Sequence, residues 1–317
     1  MTAKKILEVY GTAFACAALF LLFAVAAENF ISVVNLLNVL KQISYLTIIA
    51  IGFTLALITG ELDLSFASAG SLASVVTAAL LFGGYPLLLG VLCGAAVGAA
   101  IGIANGLLVT RLKIPSLITT LATATIANGL AFLITGGVAF VGKMHPGFLF
   151  LGRGVLFGIP VLIIWMAAIV LLAQFLVKQT RLGIHMVCTG ESEEAARLAG
   201  IRTKRMKVLG LAFSGLAAGV TGILLTASLS SSSPTIAGDF LMSGIAAVLL
   251  GMTTFEPGRP NVPGTVVGAL IIGLLTNGLT LIGAQYYIQD IVLGLIIIFS
   301  VSVSATQMKQ AAFGAPR

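Results

Sequence analysis

The chain has 317 residues, of which 59% are hydrophobic and only 9% charged, with 17 basic and 10 acidic side chains and a net charge of +7. An ordinary soluble domain carries roughly 25% charged residues, so this chain lacks the polar surface to cover a core in water and its solvent is largely lipid. Seven of the cations, Lys178, Arg181, Arg197, Arg202, Lys204, Arg205 and Lys207, crowd into one stretch instead of lining a stripe, a pattern that orients a membrane protein better than it binds nucleic acid, which is not expected as a partner.

In chain order, Lys4 and Lys5 precede an apolar run ending at Ala24-Val25-Ala26. This is the outline of a signal peptide, but the spans that follow make it equally a first span. A membrane helix needs about 20 mostly apolar residues. Ten such runs are legible, at 11–29, 43–60, 64–82, 87–109, 115–135, 155–177, 207–229, 238–254, 264–283 and 287–304. They lack the alternation of a barrel strand, so the expected fold is all-α and polytopic. With the N-terminus in the cytoplasm, the internal segments hold Lys4, Lys5, Arg111, Lys113, the seven-cation cluster, Arg259, Lys309 and Arg317. The external ones hold only Lys41, Lys143 and Arg153. This asymmetry predicts ten spans in one transmembrane domain over 1–317, both termini in the cytoplasm, with 178–206 as a cytoplasmic loop.

An internal repeat is also readable. GAAVGAAIGIANGL at 94–107 resembles GTVVGALIIGLLTNGL at 264–279, in the fourth and ninth spans. Five spans apart means opposite orientation, so a five-plus-five inverted repeat is expected. The same offset relates ITGELDLSFASAG, after the second span, to LSSSSPTIAGDF, after the seventh. Such polar interruptions are where broken helices and solute paths lie. Gly90, Gly94, Gly98, Gly102 and Gly106 recur every four residues, leaving one helix face bare for a close neighbour.

GVAFVGKM at 137–144 has the spacing of a phosphate loop, but Met144 stands where a hydroxyl would hold magnesium and the segment falls in an external loop. No nucleotide site is expected. Cys16, Cys93, Cys188, His145 and His185 are scattered, so no metal site or disulfide framework is expected either. Within the cytoplasmic loop, Ser192, Glu193 and Glu194 followed by Ala195, Ala196, Arg197, Leu198 and Ala199 read as a short helix with acids at its start. Its small apolar face suits docking. Glu61, Asp63, Ser65, Asp239 and Asn277 are the polar residues nearest the broken spans and stand as translocation-pathway candidates. The acids could equally sit at the water interface or cap half-helices, and Asn105, Asn128 and Asn277 could equally bond helix to helix.

Three stretches carry a family resemblance: NLLNVLKQISYLTIIAIGFTLALITGELDLS, TRLGIHMVCTGESEEAARLAGI and PGTVVGALIIGLLTNGLTLIG. Collinear and correctly separated, they resemble the permease subunits of binding-protein-dependent ABC importers of the ribose, arabinose, xylose and autoinducer-2 group, related to the branched-chain amino acid permeases. The likeness runs from about Phe30 to Ser304. Gly190, Glu191, Glu194, Ala195, Ala196, Arg197, Gly200 and Ile201 align with the family's loop, and Gly60, Leu62, Asp63, Leu64 and Ser65 with its membrane motif. The resemblance implies two permease chains, either two copies or one copy with a sister permease. It also implies two cytoplasmic ATPase subunits that bind the ATP and an extracytoplasmic solute-binding protein. The loop helix from Glu193 to Gly200 would dock on the ATPase. Departures are Glu61, Phe66-Ala67 for Val-Gly, Glu191-Ser192 for Asn-Glu, and FEPGRPNVPG before the ninth span. The expected function is the translocation pathway of an ATP-driven importer for a small polar solute, a monosaccharide first among them, with no covalent chemistry and no cofactor in this chain. An ion-coupled secondary transporter using Glu61, Asp63 or Asp239 is the competing class.

Overall fold

A computed structural model describes the backbone of residues 3–312 and the side chains of 11–302. Lys4, Lys5, Lys309 and Arg317, used above for orientation, lie outside the described side chains. Ten apolar helices follow the ten runs: α1 (Ala3–Ala26), α2 (Val33–Ile58), α3 (Phe66–Phe82), α4 (Leu87–Leu112), α5 (Ser116–Thr135), α7 (Val161–Gln179), α10 (Thr203–Leu229), α11 (Phe240–Gly251), α12 (Val262–Leu281) and α13 (Tyr286–Ala312). Six are long and apolar enough to cross a membrane, and α1, α3, α11 and α13 contribute shorter apolar stretches.

Three helices lie between the spans, the last of them the short helix expected after Ser192. These are α6 (Pro146–Arg153), α8 (Arg181–Glu191) and α9 (Glu193–Leu198). Thr180 caps α8 by accepting from the Gly183 N–H, and Ser192 caps α9 by accepting from that of Ala195, so each start satisfies an otherwise orphaned donor. The second span begins at Val33, ten residues before the apolar run, because Asn35, Asn38, Lys41 and Gln42 interrupt the hydropathy but not the helix. The sixth begins at Val161; the residues before it form a small hairpin, Val155–Leu156 against Ile159–Pro160. Phe140–Val141, inside the 137–144 segment, pairs with Ser231–Ser232.

The sequence reads as one domain, and its packing falls into two compact units, residues 1–50 with 242–317, and residues 51–241. The second unit holds spans three to seven. The first holds eight to ten with one and the start of two. Advancing by five turns spans three to five of the one into eight to ten of the other, while span two is divided between the units.

Within 51–241 the glycine stripe of α4 sets the packing. A Cβ on Gly98 would fall on the carbonyl oxygen of Gly215, one on Gly102 on that of Leu211, and one on Gly106 within 2.6 Å of Val208 Cα. At Gly94 it would overlap the Thr77 hydroxyl, and at Gly90 it would meet Leu81 at 3.1 Å. The stripe thus lets the α4 and α10 backbones touch, while Leu88, Leu92 and Ile103 face outward. In the other unit, the related helix α12 brings Gly264 and Gly268 onto the backbone of Gly251 and Ala247 in α11, and Gly273 onto Ile43. Asn35 and Asn277 exchange a pair of amide hydrogen bonds, both 3.0 Å, joining α2 to α12.

Candidate functional site

The GELDLS segment separates α2 from α3. Gly60 has φ +84°, a left-handed conformation that glycine adopts without steric cost, and it turns the chain out of α2. Asp63 then closes the turn. Its Oδ1 accepts from the Ser65 N–H at 2.8 Å and from the Ser65 hydroxyl at 2.6 Å, holding the first turn of α3. The network continues through Asn105 of α4, whose Nδ2 donates to Ser65 Oγ at 2.8 Å and whose Oδ1 accepts from Thr123 of α5 at 2.7 Å. The backbone N–H groups of Leu62 and Leu64 donate to the Ser116 and Thr120 hydroxyls. Asp63, Ser65 and Asn105 are all buried. Burial pushes the Asp63 carboxyl above its usual range, against the opposing pull of its hydrogen bonds from Ser65.

Glu61 points the other way. Its carboxylate accepts from Lys207 Nζ at 2.8 Å, and the same ammonium reaches Glu193 at 2.7 Å. One cation therefore joins the break between α2 and α3, the short helix α9 and the start of α10. Thr203 adds a hydroxyl donated to Glu193 at 3.3 Å. The hydrogen bond from Lys207 holds the Glu193 carboxyl below the usual carboxylate range. A steric contact reinforces the ionic one. A Cβ on Gly190, at the end of α8, would overlap the Ile58 carbonyl oxygen, and Gly60 lies against Gly190 itself.

The outer face of α9 is open. Ala196 is its buried residue, while Glu194, Ala195, Arg197 and Leu198 are exposed, Leu198 at 81%. Glu191, Gly190 and Gly200 are exposed beside it, and Ile201 is half-buried. Gly200 has φ +82° and ends the helix.

The structure therefore brings Glu61, Asp63 and Ser65 together and sets them beside the loop. Asp239 is exposed, at a break whose neighbours Ser232 and Ala237 bond to Ser74 and Ser71 in the body of α3. Asn277 is engaged with Asn35 in the other unit. Lys207 is the residue whose importance the sequence hides, since its partners lie 146 and 14 positions away. Glu61, an acid that departs from the family resemblance, is the signal that could have led to it.

A family described as "branched-chain amino acid transport system / permease component" matches residues 35–301. The chain belongs to this permease family. Among curated relatives, the ribose import permease protein RbsC of Bacillus subtilis is 38% identical over 284 residues, 89% of this chain and 88% of the relative. The Escherichia coli protein of the same description is 34% identical over 296 residues, 90% and 91% of the two chains. The L-arabinose transport system permease protein AraH of Escherichia coli is 36% identical over 297 residues, 94% and 90%. The break at 59–65 and the α8–α9 segment both fall within the matched region, so the cluster they form belongs to the body of the permease.

Proposed function

We propose that this permease is the membrane subunit of an ATP-driven importer and forms the pathway for a monosaccharide. The observation that carries this reading is its similarity over about nine-tenths of its length to permeases named for ribose and arabinose. The chain binds no ATP and performs no covalent step. Two cytoplasmic ABC ATPase subunits supply the energy, an extracytoplasmic binding protein delivers the sugar, and a second permease chain completes the pathway.

The chain lies in the bacterial cytoplasmic membrane with both termini inside. The exposed face of α9, with Glu194, Ala195, Arg197 and Leu198, docks on the ATPase. ATP-driven closure of the ATPase pair favours one packing of the permease helices and hydrolysis the other, so access alternates. Ion-coupled transport is the weaker reading, because Glu61, its first carboxylate, already has Lys207 as counter-charge.

The test is coupling to the ATPase of the same system. Wild-type permease is expected to co-purify with it and to render its hydrolysis responsive to the loaded binding protein. Glu194→Ala/Arg197→Ala should insert normally and lose that response. A permease that binds no ABC ATPase would overturn the proposal.

A further inference from the structure

We infer that Lys207 is a positioning residue that carries movement of the docking helix α9 to the break between α2 and α3, through its two carboxylate partners Glu193 and Glu61. The inference rests on the docking role proposed above and adds the route by which docking reaches the membrane helices.

The geometry is specific. Glu193 lies on α9 and its side chain is half exposed, Lys207 lies at the start of α10, and Glu61 lies in the break, its side chain only 7% exposed. The ammonium is 2.8 Å and 2.7 Å from the two carboxylates. A buried carboxylate without its cation is strongly destabilising, so Glu61 and Lys207 move together. Glu193, by contrast, is an exposed partner, and an exposed ion pair adds little to stability. Its place on the ammonium is better accounted for by what it connects. The glycine contact of Gly190 with Ile58 supports the route independently, because it seats the end of α8 on the last turn of α2. The break so engaged is the one whose Asp63, Ser65 and Asn105 tie α3 to α4 and, through Thr123, to α5. A displacement of α9 delivered at Glu61 therefore reaches four membrane helices through one turn.

The experiment uses the complete transporter, permease with its ATPase and binding protein, in proteoliposomes, with labelled D-ribose as the probe and sugar moved per ATP hydrolysed as the readout. Glu193→Gln leaves no buried charge and should fold as wild type, yet move at least about fivefold less sugar per ATP hydrolysed by the assembled transporter, the low end of allosteric coupling. Glu61→Gln/Lys207→Met removes the buried pair without orphaning either charge and should give the same loss. Lys207→Arg, able to bridge two carboxylates, should retain the wild-type ratio. An unchanged ratio in Glu193→Gln, or loss of ATPase binding in the neutral double variant, overturns the inference. Failure of the docking proposal itself is read separately, as wild-type permease showing no ATP-dependent uptake.

Discussion

Replacing Gly102 with alanine tests whether the α4–α10 contact is set by the absence of a side chain. In an isolated helix this change is favourable by about 0.5–1 kcal/mol. Here the added methyl would land on the Leu211 carbonyl oxygen and within 2.8 Å of Ala212 Cα. Both are backbone atoms, so no rotamer change relieves the overlap and the helices must part. A gap of about 1 Å forfeits up to roughly half of each dispersion contact along the interface, and overpacking of this kind costs about 1–3 kcal/mol. Gly129 in α5 is the control, because a methyl there meets nothing within 4 Å. The propensity gain is common to both variants, so their difference isolates the overlap at about 1–3 kcal/mol. Equilibrium unfolding in mixed micelles should find Gly102→Ala less stable than wild type and Gly129→Ala slightly more stable. Equal stability of the two would refute the packing account.

Three further outcomes follow from the site. Ser192→Ala removes the hydroxyl that accepts from Ala195 and should weaken α9 by about 1 kcal/mol, seen as faster amide exchange over 193–198. Because Lys207 lowers the Glu193 pKa, the anchoring of α9 is complete above the unfolded carboxylate range and is lost as pH falls through the folded value. Exchange protection of α9 should therefore drop on acidification in wild type and stay flat in Glu193→Gln. Asp63→Asn keeps an oxygen that can accept from Ser65 and should insert and fold. Asp63→Ala leaves the buried Ser65 N–H and hydroxyl donors without their acceptor, at a cost of about 1–3 kcal/mol, read as lower thermal stability of the purified permease.

The ten apolar helices are legible because a lipid solvent demands long apolar runs; their ends blur where polar residues continue a helix or apolar ones leave it. Asn35 shows this: it makes the second span read ten residues short, yet it lies inside α2, bonded to Asn277. The repeat is readable from two glycine-rich stretches because the bare helix face they create is used in the same way in each half, on α10 and α3 in one and on α11 and α2 in the other. The site is legible only in parts. Ser192, Glu193 and Glu194 announce a capped helix locally, and GELDLS announces a break. That one lysine joins them depends on α10 folding back beside α2, a contact between residues 146 positions apart that no local pattern encodes. The helix at 181–191 is missed for a related reason. Arg181 and His185 make it look like solvated loop, whereas Gly183, Met186 and Thr189 are buried along its inner face.

The most direct test of the central claim is sugar uptake by the purified permease in liposomes, with and without its ATPase and binding protein. Labelled D-ribose or L-arabinose should accumulate only when the ATPase, ATP and the loaded binding protein are all present, and should be indifferent to proton and sodium gradients. Accumulation by the permease alone, driven by an ion gradient, would contradict the account.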